Sequence, residues 1–261
     1  MDLTTSGIVC AVLRHGEHGA VVRLLTPEHG LVAGYVRGGG GRRLRPVLQA
    51  GNGVLARLVA RVDTQLAAAT VELVRPRTLL ATTRLGGIGL EWLTALTATA
   101  LSENEPHPRL YAALDGLLDA MALGAAPARW LADVVRYELL LLAELGFGLD
   151  LGSCAATGAV NDLAWVSPRS SQAVGRAAGA PYAAKLLALP GFLLTEAPGF
   201  SRGEAAAGAT RDPLVSDLVA GFTLTGHFLA RDVLTGRAAP LLDARGRLVQ
   251  AAAHALDAGI G

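Results

Sequence analysis

Residues 7–41, "GIVCAVLRHGEHGAVVRLLTPEHGLVAGYVRGGGG", hold three short runs rich in β-branched and aliphatic residues: Ile8–Arg14, Ala20–Thr26 and Leu31–Arg37. Gly16 and Gly19 punctuate the first gap, and Pro27 and Gly30 the second. Such residues supply the backbone angles of tight turns. In "TPEHG" the proline takes a turn position and the glycine lies two residues past Glu28, as a hairpin loop requires. Two further runs follow, "GVLARLVARV" at 53–62 and "LAAATVELV" at 66–74. Five short strands in succession predict a small antiparallel barrel.

The oligonucleotide-binding (OB) fold is one such barrel. After "RPRT" (75–78) the pattern changes, and apolar residues recur at three- and four-residue spacing. "GIGLEWLTALTATALS" (87–102), "RLYAALDGLLDAMA" (109–122) and "ARWLADVVRYELLLLAELG" (128–146) read as helices. Pro127 near the start of the third and Gly146 just past its end are the usual helix boundaries. Beyond 180, residues 182–189, 212–234 and 244–253 are expected to be helical, 196–212 a loop, and the tail 255–261 disordered. The expected architecture is α+β in two parts. A barrel spans 1–80 and a mainly helical domain 81–261, with a hairpin insert at about 150–180.

The chain has 261 residues, enough for a sizeable core. Its two cysteines, Cys10 and Cys154, give no disulfide framework, which fits a reducing compartment. The opening "MDLTTSG" is polar and no long uninterrupted apolar run occurs, so neither a signal peptide nor a membrane span is expected. These features predict a cytoplasmic protein. The net charge of +1 hides an asymmetry. Residues 1–80 carry ten arginines against five acids, a net +5, and the remainder is −4. A basic domain joined to an acidic one points to a polyanion partner for the first.

The candidate phosphate contacts are Arg14, Arg23, Arg37, Arg42, Arg43, Arg45, Arg57 and Arg61. Four of them flank or follow the glycine run of "RGGGGRRLR" (37–45), readable as a mobile arm that follows phosphates. That run lacks G-K-[ST] and a helix directly behind it, so it is no nucleotide loop. Tyr35 is the only aromatic among the first 80 residues, so base stacking is expected to be minor. "HGEH" places His15 and His18 near a turn, too few ligands for a metal site. No nucleophile–base set suggests itself. Glu144 and Asp150 beside a helix end are better explained by capping and solvation, so no enzyme is expected.

The stretch "LGFGLDLGSCAATGAVNDLAWVSPRSSQAVGRAAG" (145–179) has the frame of a zinc knuckle with a single sulfur, Cys154. "ELGFGLDLGSCAATG" followed by "WVSPRSSQAV", behind the hairpins "GEHGAVVRLLTPEHG" and "GYVRGG" and ahead of "HFLARDVLTGRAAP", resembles the RecO family of bacterial recombination mediators. The resemblance covers nearly the whole chain. Many members carry four cysteines in this hairpin. On that pattern Cys154 holds the first ligand position, and Thr157, Gly175 and Ala178 stand at the other three. One thiol cannot make a structural zinc site. The expectation is therefore a metal-free, knuckle-like hairpin packed by Leu163, Trp165 and Val166, with Cys154 as a small buried hydrophobe. The resemblance further implies binding of single- and double-stranded DNA, strand annealing, and partnership with RecR and the single-stranded DNA-binding protein (SSB) in loading RecA within the RecFOR pathway. It implies no cofactor and a place near the nucleoid. The acidic C-terminal tail of SSB would be met by Arg129, Trp130, Arg136 and Tyr137 on the third helix. The alternative is an adaptor whose OB barrel does not bind DNA.

Overall fold

Strand β1 (Asp2–His15) is long enough to serve two partners. Its first half pairs with β4 (Gly53–Val59) and its second with β2 (Gly19–Thr26), both antiparallel. Between the halves the register with β2 shifts at Val9/Ala11, a bulge that lets the strand bend around the barrel. With β3 (Gly30–Val36) and β5 (Ala67–Arg75) the barrel closes in the order β1-β2-β3-β5-β4. The closing pair, β3–β5, is parallel rather than antiparallel. A closed ring of five strands cannot alternate direction at every step, so one parallel pair is unavoidable. The computed structural model describes residues 2–62, 65–194 and 215–257.

Alternation decides what fills the barrel. Val54, Ala56 and Leu58 of β4 point inward, while Leu55, Arg57 and Val59 face out. Val9, Val22, Leu24, Val32 and Val71 complete the interior, with Ala20, Ala67 and Ala69 where the walls come close. The connection from β3 to β4 is not an extended arm. It folds into helical turns, with Arg45 N–H donating to the Gly41 carbonyl (3.0 Å) and Leu48 N–H to Leu44 (2.9 Å). Leu48 enters the barrel core and Leu44 and Val47 pack on it. Burying three aliphatic side chains on one turn outweighs the flexibility of the glycine run.

The chain forms two compact units, Met1–Gly124 and Ala125–Gly261. The first holds the barrel together with α1 (Arg84–Ala100) and α2 (Pro108–Ala122). A buried arginine ties α2 to the barrel. Arg77, 1% exposed, donates through Nη2 to Asp115 (2.5 Å) and Asp119 (2.6 Å) and through Nη1 to the Gly51 carbonyl (3.1 Å). Arg75 Nη1 meets the same two carboxylates at 2.8 and 2.9 Å. Asn52 joins this cluster to the helical turns between β3 and β4, which plug the barrel with Leu48. Its side-chain oxygen accepts from Arg77 N–H (2.8 Å), and its amide donates to the carbonyls of Pro46 (2.8 Å) and Val47 (3.1 Å).

In the second unit, α3 (Pro127–Glu144) packs its apolar face against α5 (Val215–Phe228) and α6 (Leu241–Asp257). A three-stranded sheet, β7-β6-β8, is built from β6 (Leu163–Val166), β7 (Ala173–Gly175) and β8 (Leu187–Ala188). A single helical turn, α4 (Arg176–Gly179), follows β7. The expected helix over 182–189 is absent. Ala180–Lys185 makes 3-10 turns, and the chain then pairs with the edge of β6, Trp165 against Ala188 and Val166 against Leu187. Satisfying that edge prevails over the helical propensity of an alanine-rich run. After α5 the helix widens into a π-turn at Leu229–Val233. Helix α6 runs on to Asp257, so the first three residues of the tail expected to be disordered are helical. The expected loop at 196–212, the first residues of the 212–234 helix and residues 258–261 lie outside the described residues. No described helix is long and apolar enough to cross a membrane.

Candidate nucleic-acid interface

The barrel mouth beside the β1–β2 hairpin gathers much of the positive charge. An open groove of about 370 Å³ lies between the hairpin and the plug, lined by Val12, Arg14, Gly39, Gly40, Arg45 and Gln49. Arg14 reaches it because its cross-strand partner, Ala20, is small and lies at the barrel end. Arg45 reaches it from the plug's helical turn. A hydrogen bond from Gly40 N–H to the His18 carbonyl (3.2 Å) ties the glycine turn to the hairpin tip. Arg37, Arg42 and Arg43 are exposed around the same turn, and Arg61 is exposed just past β4. Apolar anchoring of the plug holds these side chains outward on a folded support. Such a support can present several guanidinium groups to phosphates at low ordering cost.

The other two arginines of the predicted set are engaged within the protein. Arg23 is half-buried, donates to the Ala98 carbonyl and pairs with Glu103 at 3.3 Å. Arg57 forms a two-pronged, exposed pair with Asp2 (3.0 and 2.7 Å), which holds the Asp2 carboxyl below its ordinary range. An exposed pair of this kind contributes little stability and opens readily to a competing anion. Arg75 and Arg77 are neutralised by Asp115 and Asp119. Counted over residues 1–124, twelve arginines stand against ten acids, a net +2 instead of the +5 of the first 80 residues. The positive end of the barrel is local rather than a property of the unit. Sequence reasoning gave no role to Arg77, although a buried arginine needs a carboxylate, and Asp115 and Asp119, one helical turn apart, were visible.

The four residues expected to meet the SSB tail do not form a surface groove. Trp130 and Tyr137 lie in the core, 5% and 0% exposed, because the apolar stripe of α3 turns toward its neighbouring helices. Arg129 is exposed, one position off that stripe. Arg136 is tied down by Asp133 (2.8 Å), the Phe192 carbonyl (3.0 Å) and the Phe192 ring. The same helix carries a residue the sequence did not single out. Glu138 is fully buried, bridged by Arg245 at 2.9 and 2.8 Å and hydrogen-bonded by the Thr225 hydroxyl. Its position on an apolar stripe was the available signal.

The knuckle frame is intact without a ligand set. Gly158, at φ +71°, closes a turn in which its N–H donates to the Cys154 carbonyl (2.8 Å). Gly175 N–H donates to Cys154 Sγ at 3.1 Å from across the hairpin. Thr157, Gly175 and Ala178 supply no sulfur, nitrogen or carboxylate side chain, so this site does not fit zinc. Among the described residues no group of three or more His, Cys, Asp or Glu could hold a metal. Cys154 is buried but is not a plain hydrophobe. Hydrogen bonds from the Thr157 side chain and the Gly175 N–H lower its pKa to about 7, whereas burial pushes Cys10 up to about 12. Leu163 and Val166 are buried as expected, while Trp165 is half-buried with its ring laid over Gly179. On α5 and the π-turn, His227 lies 3.4 Å from the Pro168 carbonyl, and Arg231 donates to it (2.5 Å) and to Ser171 Oγ (3.0 Å), holding the hairpin tip.

These features define a two-unit protein, an OB-type barrel with a basic mouth and two helices of its own, followed by a helical unit with a metal-free knuckle. Comparison with known proteins agrees with both halves. Residues 1–77 match the family model described as Recombination protein O N terminal, and 87–214 match Recombination protein O C terminal. Among relatives named DNA repair protein RecO, that of Phenylobacterium zucineum is 44% identical over 246 residues, covering 94% of this chain and 95% of the relative. That of Bradyrhizobium sp. (strain ORS 278) is 45% identical over 259 residues, covering 98% and 97%. The protein of Caulobacter vibrioides (strain NA1000 / CB15N) is 43% identical over 246 residues, covering 94% and 95%. The chain belongs to the RecO family.

Proposed function

We propose that this protein is a DNA repair and homologous recombination mediator that works by binding and performs no bond chemistry of its own. The barrel holds single- and double-stranded DNA through phosphates, with little sequence preference. By bringing charged strands together it promotes annealing. With RecR it helps load RecA onto SSB-coated single strands, in the cytoplasm and at the nucleoid, without a cofactor. The observation that carries this reading is the cluster of Arg14, Arg37, Arg42, Arg43 and Arg45 around one barrel mouth in a RecO-family chain. Contact with the SSB tail remains part of the proposal, with its address moved off Trp130 and Tyr137.

The test is a strand-binding titration with the purified full chain. Binding of single strands and duplex of unrelated sequence, falling at least tenfold between about 50 and 200 mM salt, is the expected result for several phosphate contacts. One observation favours the second reading, an adaptor whose barrel does not bind DNA. Acids already engage Arg23, Arg57, Arg75 and Arg77. A protein that binds RecR and the SSB tail but no DNA at low salt would establish the adaptor.

A further inference from the structure

The outer face of the barrel beside the basic mouth carries an aromatic corner. Cross-strand pairing sets Leu13, Val21 and Tyr35 in one outward row on β1, β2 and β3, with His15 and Gly19 in the next. Strands two apart in a sheet are separated by roughly 9–10 Å, and the side chain between them normally keeps their residues from touching. Here the intervening residue is Gly19. A Cβ at that position would overlap the Tyr35 ring. Without one, the ring lies across β2 and reaches His15, with centroids 5.6 Å apart and planes at 79°. His15 is exposed, Tyr35 half-buried, and Leu13 beside them is 59% exposed. Exposed Arg37 follows two residues after Tyr35 and so shares its face, while Arg14, one residue before His15, turns to the opposite face and into the groove.

We propose that His15 and Tyr35 form a subsite for one unstacked base of single-stranded DNA, with a flanking phosphate met by Arg37. An L-shaped pair of rings offers one ring for stacking and the edge of the other as a wall, and Leu13 supplies an apolar floor. Every base has a face to stack, so the site is indifferent to sequence. Duplex bases are stacked on each other and cannot enter, so the site favours single strands. The single aromatic that composition makes look insufficient is thereby paired with a histidine from another strand. The inference rests on the proposed DNA-binding role and adds to it a means of telling single from double strands.

The test compares single-strand and duplex affinity at one salt concentration for the full-length parent, Tyr35→Leu, Tyr35→Phe and His15→Ala. Loss of a base stack corresponds to roughly 5- to 150-fold in affinity. Tyr35→Leu is expected to weaken single-strand binding by about tenfold and leave duplex binding and the salt slope unchanged, while Tyr35→Phe retains parental affinity. His15→Ala alters an exposed side chain and cannot unfold the barrel. It is expected to lower single-strand affinity several-fold, which keeps the test decisive should Tyr35→Leu destabilise the protein. Equal losses on both DNA forms, or none on either in His15→Ala and Tyr35→Leu, overturn the subsite and leave the phosphate-binding role standing. A parent that binds no DNA overturns both.

Discussion

Replacing Glu138 by alanine removes the acceptor at the centre of the second unit. Arg245, 8% exposed, loses the two hydrogen bonds at 2.9 and 2.8 Å and keeps the Phe222 carbonyl and the Thr225 hydroxyl, both at 2.8 Å, and the face of the Phe222 ring. The guanidinium charge then stays buried without its counter-ion. Breaking a buried pair in this way costs about 3–5 kcal/mol, against about 5–15 kcal/mol for a whole domain. Removing both charges is a different perturbation. In Glu138→Ala/Arg245→Met no charge is left to desolvate, so the double variant should recover at least about 1 kcal/mol relative to the summed single losses. Urea denaturation gives the total, and hydrogen exchange on α3, α5 and α6 locates it, which matters because two units need not unfold together. A single substitution costing less than about 1 kcal/mol, or a double variant losing the full sum, would refute the view that charge pairing organises this core.

Further outcomes concern the plug, the knuckle, the Asp115 cluster and Cys154. Changing Arg42, Arg43 and Arg45 together to alanine should weaken all DNA sequences alike and lower the salt slope by up to about 2.7, near 0.9 per lost phosphate contact, and parental binding would remove the loop from the interface. The purified protein should carry no stoichiometric zinc by elemental analysis, and Trp165→Ala should cost less than about 3 kcal/mol, since its ring is only half-buried. Burial alone would raise the Asp115 pKa, but the Arg77 and Arg75 guanidiniums prevail and hold it below the ordinary value of 3.8. Its stabilisation is therefore present above that value and lost as pH falls through the lowered one. Asp115→Asn should flatten the acid limb of the stability curve below about pH 4, and an unchanged limb would put the acid sensitivity elsewhere. The lowered Cys154 value predicts thiolate ultraviolet absorbance rising near pH 7 in the folded protein, and Thr157→Val should move that rise to higher pH.

The strands were legible as short β-rich runs bounded by turn residues, but not their faces: in Val54-Leu55-Ala56-Arg57-Leu58-Val59 all but Arg57 are apolar, and only barrel closure turns Leu55 and Val59 outward. Helices α1 to α3 were legible from a stripe of period near 3.6 bounded by a proline at the start of α2 and α3. The lack of ligands at Thr157, Gly175 and Ala178 was likewise written in residue types, which no fold can change. Partner choice was not legible. Arg23, Arg57, Arg75 and Arg77 read as free positive charge until their carboxylates arrived from up to 80 positions away, Arg23 meeting Glu103. Trp130 and Tyr137 read equally well as groove or core, because periodicity says which residues share a face and not what that face meets. The Gly19 gap that joins His15 to Tyr35 depends on the register of three strands, and a shift of one residue would separate them. Local period and residue chemistry are properties of the chain. Which distant groups neutralise, bury or pair with one another is set only when the chain closes on itself.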